Sequence, residues 1–275
     1  MPCMTSSVVA DVDPDEFVPL AGTGRRVTRV RRVRLSDVTG TGRLRLDALA
    51  RYLHDIAGDD VDDAGLGGAW VLRRVALAFG DLPVFRDDVT LTTFCSGTGS
   101  RWAERRTTLE AGGAVRVEAV ALWVFVDPAG RPVPLEGWFF DLYGDAAAGR
   151  RVSSRLQHRP PPNEGVNRRP WPLRVTDIDV LNHVNNAASW SAVEDELARR
   201  PASGRLSRAE IEYRAAVDLD DPVELLTRSS PTEMACWLLH DGEVRTSAVV
   251  TFVSPGPGPL RSSSGHTLDA GGQSP

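Results

Sequence analysis

Two carboxylates, an imidazole and three amides crowd into ten residues of the stretch LRVTDIDVLNHVNNAASWSAVEDEL, which runs from Leu173 to Leu197. Asp177 and Asp179 can act as base or nucleophile, His183 can polarise or carry a proton, and Asn182, Asn185 and Asn186 add amide donors. The alternation of Leu173-Arg174-Val175-Thr176 predicts the end of a half-buried strand. Ala187, Trp190, Val193 and Leu197 recur at helical spacing, so a helix starts near Asn185 or Asn186, and Asn is a favoured N-cap. A strand end, a polar loop and a helix N-terminus together suit carbonyl chemistry. The loop supplies acid and base, while the first helical N–H groups and the helix dipole face developing negative charge, with Asn185 and Asn186 at that oxyanion site.

These elements belong to a chain of 275 residues, 41% hydrophobic and 25% charged, enough to bury a sizeable core. The formal net charge of −5 argues against general nucleic-acid or anionic-membrane binding, and no apolar run approaches the roughly 20 residues needed to cross a bilayer. The acidic start lacks a basic region before an apolar stretch, so no secretory signal is expected. Cys3, Cys95 and Cys236 are odd in number and far apart, which points to a reducing cytoplasm, to buried free thiols, and away from a cysteine zinc site. No metal and no cofactor is expected.

Composition divides the chain into five parts. Residues 1–23 read as a flexible arm and 254–275, rich in Gly, Pro and Ser, as a disordered tail. Residues 145–170, with the PPP run and paired arginines, read as a linker over a surface, on which His158 is a solvated residue. The remaining blocks, 24–144 and 171–253, repeat one another. Val33-Arg34-Leu35-Ser36-Asp37-Val38 precedes a Gly/Thr loop and the helical stripe Leu46, Leu49, Ala50, Leu53, Ile56, Ala57, and adding about 140 lands on the Leu173 segment and its helix. Alternating runs through Val75 and Ile211, and later strands after Gly turns, follow in the same order. Conserved element order in two copies indicates an internal duplication.

One long helix wrapped by an antiparallel sheet, twice in one chain, is an α+β tandem (double) hot-dog. The segment DIDVLNHVNN and its helix, with Leu46 to Asp59, Trp70-Val71-Leu72-Arg73, Ala121-Leu122-Trp123-Val124 and Ile211-Glu212-Tyr213-Arg214, resembles bacterial acyl-ACP thioesterases, relatives of the plant enzymes that release fatty acids from acyl carrier protein. The resemblance implies a thiolester hydrolase acting on acyl-ACP, with some acyl-CoA activity open, in fatty acid biosynthesis. It implies Asp179 as the catalytic carboxylate and His183 in the same constellation. Leu181 stands where the plant enzymes carry a catalytic Asn, and Ala216 and Val217 where they carry Glu and Cys. Glu194, on the helix after the loop, is then the expected substitute acid.

Each residue also has a plainer role. Asp179 can cap its loop through a side-chain-to-backbone bond, and His183 can be a satisfied core histidine. Asp177 matches Asp37 of the first block and is expected to be structural. Thr39 and Arg43 replace Asp179 and His183 in that block, which therefore supplies acyl-pocket walls and half of the sheet. His54 and Asp55 fall at the helical positions of Glu194 and Asp195 and suit a pocket-lining or structural role. Arg105, Arg106, Arg150 and Arg151 are candidates to meet an acidic carrier protein. A monomer with two pseudo-symmetric halves and a homodimer are both open. The alternatives to hydrolysis are a non-catalytic acyl-binding or regulatory hot-dog protein and, more remotely, a dehydratase.

Overall fold

In the computed structural model, which describes residues 17–19, 22–65, 67–200 and 204–253, a single 10-stranded antiparallel sheet curves around two helices. The tail at 254–275 and the first sixteen residues of the arm lie outside the described residues. The first half comprises β1 (Arg26–Arg32), α1 (Leu46–Ala64), β2 (Ala69–Phe79), β3 (Asp88–Thr98), β4 (Trp102–Ala111) and β5 (Ala114–Val126). After α2 (Gly137–Ala147) the second half follows as β6 (Asn167–Pro170), α3 (Asn186–Arg199), β7 (Arg205–Tyr213), β8 (Val223–Ser229), β9 (Glu233–His240) and β10 (Glu243–Val253). Strand order across the sheet is β1-β3-β4-β5-β2-β7-β10-β9-β8-β6. The second five strands mirror the first five, so a pseudo-twofold axis passes between β2 and β7, where Val75 pairs with Ile211. The double hot-dog architecture is thereby confirmed.

Both central helices owe their position to one apolar stripe. Leu46, Leu49, Ala50, Leu53 and Ile56 of α1 and Ala187, Trp190 and Val193 of α3 are buried in one core with the inner faces of the strands. The helices also pack on each other across the axis. Gly65 ends α1 in the left-handed region at φ 64°, its N–H donating to the carbonyls of Val61 and Asp62. Among the described residues α2 has no counterpart in the second half; its Phe139 and Tyr143 stack on each other, and Phe139 also packs on Trp70 and Trp138.

Two local expectations are corrected. Leu173–Thr176 is not a strand end: the strand lies earlier, as β6, within the stretch read as linker, and Val175–Asp177 forms a 3-10 turn. The cause is Asp177, whose Oδ2 accepts the Arg174 N–H at 2.9 Å and folds the chain back locally. Asp37 does the same to Arg34 at 2.9 Å in the first half. His158 is buried rather than solvated. The segment around it is strapped to the outer face of the sheet: the Glu212 carboxylate accepts the N–H groups of Gln157 and His158, and the Trp237 indole donates to the Arg159 carbonyl at 3.0 Å.

Candidate active site

The two loops that precede α1 and α3 have the same backbone. Arg45 N donates to the Asp37 carbonyl at 2.9 Å and Asn185 N to the Asp177 carbonyl at 2.7 Å. Thr39 N and Asp179 N bond to the carbonyls of Arg43 and His183 at 2.7 and 3.0 Å. Gly42 and Asn182 fill the matching left-handed positions, at φ 86° and 63°. On this shared frame the side chains differ, and so does the chemistry.

In the second half the helix starts as its spacing predicts. Asn185 is the N-cap of α3, its Oδ1 accepting the Ala187 N–H at 2.8 Å. Asn186, Ala188 and Ser189 of the first turn line a cleft of about 280 Å³ together with Asp177, Asp179, Leu181 and His183. Asp179 fulfils its plainer role with one oxygen, Oδ1 accepting the Leu181 N–H at 2.9 Å. Its second oxygen makes no hydrogen bond among the described residues. The Asn186 N–H likewise has no hydrogen-bond partner there, so the helix end presents a donor at the cleft wall.

His183 shares this cleft with Asp179 but bonds elsewhere. Its Nδ1 lies 2.6 Å from Oδ1 of Asp218, a residue of the loop after β7. A carboxylate at that nitrogen fixes the tautomer with hydrogen on Nδ1 and leaves Nε2 as the basic nitrogen. Asp218 stands two residues beyond Ala216, where the plant pattern carries Glu. That proximity was the available signal, and sequence reasoning passed over it.

Glu194 is not brought to this loop. Its carboxylate accepts hydrogen bonds from Arg43 Nη1 and Nη2 at 3.0 and 2.7 Å and from the Leu46 N–H at 2.6 Å. The physical reason is the pseudo-twofold axis, which sets the helix of each half against the loop of the other. Glu194 therefore faces the first loop, and its counterpart His54 faces the second. Burial lowers the His54 pKa, against the opposing pull of Asp55 and Asp179, so the ring is held neutral.

His54 also lines an apolar cavity of about 260 Å³ under α1, walled by Ala57, Trp70, Cys95, Trp123 and Phe139. Trp70 belongs to both spaces, so the Asp179 cleft and the apolar cavity share a wall. Burial pushes the Cys95 thiol up to about 11 and the Cys236 thiol to about 12, which leaves neither as a nucleophile at neutral pH. Arg105 and Arg106 do not face outward: they pair with Asp60 at 2.7 Å and Glu118 at 2.5 Å, and Arg150 pairs with Glu104. Arg151 alone of the four is exposed.

The strap places His158, Glu210 and Glu212 together on the opposite face of the sheet. Arg74 binds Glu210 at 2.6 and 3.1 Å and Arg214 binds Glu212 at 2.8 Å, so guanidinium groups supply the counter-charge there. Burial alone would raise the Glu210 carboxyl, but the hydrogen bonds and charge of Arg74 outweigh it and hold the group below its ordinary range.

The fold and this divided site belong to a thioesterase class. The acyl-ACP thioesterase N-terminal domain model matches residues 25–134 and the C-terminal domain model residues 162–252, and the chain belongs to that family. Its activity is that of a thiolester hydrolase on fatty acyl-ACP. The uncharacterized protein Rv2001 of Mycobacterium tuberculosis is 26% identical over 223 residues, covering 80% of this chain and 89% of the relative. The 12:0-ACP thioesterase of Umbellularia californica shares the fold with a TM-score of 0.73 at 17% identity, covering 86% of this chain and 100% of that one. An acyl-ACP thioesterase of Bacteroides thetaiotaomicron gives 0.70 at 21% identity, covering 83% and 98%. No helix among the described residues is long and apolar enough to cross a membrane.

Proposed function

We propose that the thioester is hydrolysed at the loop of the second half, with Asp179 as the catalytic carboxylate. The acyl chain lies in the apolar cavity of the first half, and the thioester and its carrier arm lie in the cleft that holds Asp179 and His183. The observation that carries this is the shared Trp70 wall, which sets an apolar space for the chain beside the cleft that holds Asp179 and His183. Asp179 either activates a water or attacks the carbonyl itself, through the oxygen that the loop leaves unbonded. His183, oriented by Asp218, accepts or returns a proton through Nε2.

The developing oxyanion is held by the Asn186 N–H and the dipole of α3. The first half supports this assignment, because there the equivalent N–H, that of Leu46, already holds a carboxylate oxygen at 2.6 Å. The seat is one that binds anionic oxygen. Since both halves contribute to the site, a single chain suffices. Carrier-bound acyl chains are intermediates of synthesis, so the reaction releases free fatty acid during cytoplasmic fatty acid biosynthesis.

The test is hydrolysis of acyl-ACP by the native chain and by Asp179→Ala. Turnover falls by roughly three orders of magnitude in the variant while acyl-ACP still binds. Turnover that survives the substitution at the native rate rejects Asp179.

A further inference from the structure

β2 is irregular at one point. Its pairing with β5 slips between Leu72 and Arg74, which makes Arg73 the extra residue of a β-bulge, a device that re-aims a side chain. Arg74 points to the outer face and holds Glu210. Arg73 instead lines the cleft with Asp179 and His183. Its Nη1 donates to the Arg214 carbonyl at 3.0 Å, and it makes no ion pair among the described residues. The contrast with Arg25, Arg43, Arg105 and Arg106 is plain, since each of those is committed to a carboxylate. Arg214, also on the cleft wall, is answered by Glu212. Burial, then repulsion from Arg214, lowers the Arg73 pKa against the pull of Glu212, and an arginine so placed still stays charged.

A half-buried guanidinium in a substrate cleft with no carboxylate of its own is suited to an anion carried by the substrate. Its planar fork matches phosphate oxygens in particular. The carrier arm of acyl-ACP bears one such group, the phosphodiester that joins pantetheine to the protein. We propose that Arg73 is the residue that recognises the phosphate of the phosphopantetheine arm, a reading that rests on the Asp179 cleft being the thioester site. Arg73 lies three residues along β2 from Trp70, the residue shared by the cleft and the apolar cavity. Neither acid of the cleft, Asp177 or Asp179, forms an ion pair with Arg73 among the described residues; their recorded bonds go to the Arg174 and Leu181 N–H groups.

The full-length chain is titrated calorimetrically with 4′-phosphopantetheine and with pantetheine, ligands that carry no thioester and undergo no turnover. Native protein binds the phosphorylated ligand about 10- to 100-fold more tightly, the range of a charge-assisted hydrogen bond. Arg73→Gln erases that difference and Arg73→Lys keeps part of it. Equal affinity of native protein for the two ligands, or a preference for phosphate that persists in Arg73→Gln, overturns the assignment. Binding of acyl-ACP that weakens in Arg73→Gln, with the free phosphorylated ligand unaffected, also overturns it and assigns Arg73 to the carrier protein's surface. Acyl-ACP turnover is measured in parallel on native protein, so that a phosphate preference without hydrolysis rejects the thioesterase cleft and leaves Arg73 as a phosphate site.

Discussion

At the start of α1 the protein closes its own anion seat; at the start of α3 it leaves the equivalent seat open. In the first half Glu194 reaches across the pseudo-twofold axis, takes the Leu46 N–H and pairs with Arg43. In the second half the corresponding positions are His54, the Asn186 N–H and His183, and no carboxylate fills the seat. The two loops share the backbone hydrogen bonds that close them, Arg45 to Asp37 and Thr39 to Arg43 in one, Asn185 to Asp177 and Asp179 to His183 in the other. What separates the sealed seat from the open one is therefore a handful of side chains, with a Glu paired to Arg43 on one helix and a buried His on the other.

That comparison can be broken from the first half. Glu194→Ala strands Arg43 and opens the Leu46 N–H, so thermal or urea unfolding registers a loss of about 2 kcal/mol. The cost is below that of a fully buried pair because the Arg43 side chain is 27% exposed. An unfolding curve superimposable on the native one means the seal contributes nothing. A smaller effect sharpens the second half. Burial depresses the pKa of His54 from 6.5, so its unfolded form binds a proton more readily than its folded form. Stability is therefore lost as the pH falls below 6.5 toward the folded-state value. In His54→Gln that slope is shallower, and the part that remains comes from His158, which is depressed by burial in the same direction, and at the acid end from carboxylates held low, such as Glu210. A melting temperature that is flat between pH 7 and 5 in the native protein contradicts the neutral-His account.

Much of the frame was legible in the primary structure. The spacing of Ala187, Trp190 and Val193 located α3 and its Asn cap, and the offset of about 140 between the blocks predicted matching loops. It also separated Asp177, which has a twin in Asp37, from Asp179, which has none. The failures share a cause in long-range geometry. Spacing along one helix cannot tell which loop that helix faces, so Glu194 was assigned to its own loop when the axis hands it to the other. Asp218 lies 35 residues from His183 and joins it only through the return of β7. Arg105 and Arg106 looked like surface because acids that neutralise them, Asp60 and Glu118, sit on separate elements. His158 looked solvated because a Pro-rich linker gives no periodicity to show that it is clamped onto Glu212.

In the proposed mechanism Asp179 is the catalytic carboxylate, Asp218 orients His183, and Glu194 serves structure alone. The most direct test of this division of roles is kcat/KM on acyl-ACP for Asp218→Asn and Glu194→Gln, measured side by side below their melting temperatures. Asp218→Asn loses the orientation of His183 and falls by about 100-fold, the low end for general acid–base assistance, while Glu194→Gln keeps the native value. A fall in Glu194→Gln with Asp218→Asn at the native rate would place the working acid at the sealed seat beside Arg43 and Leu46.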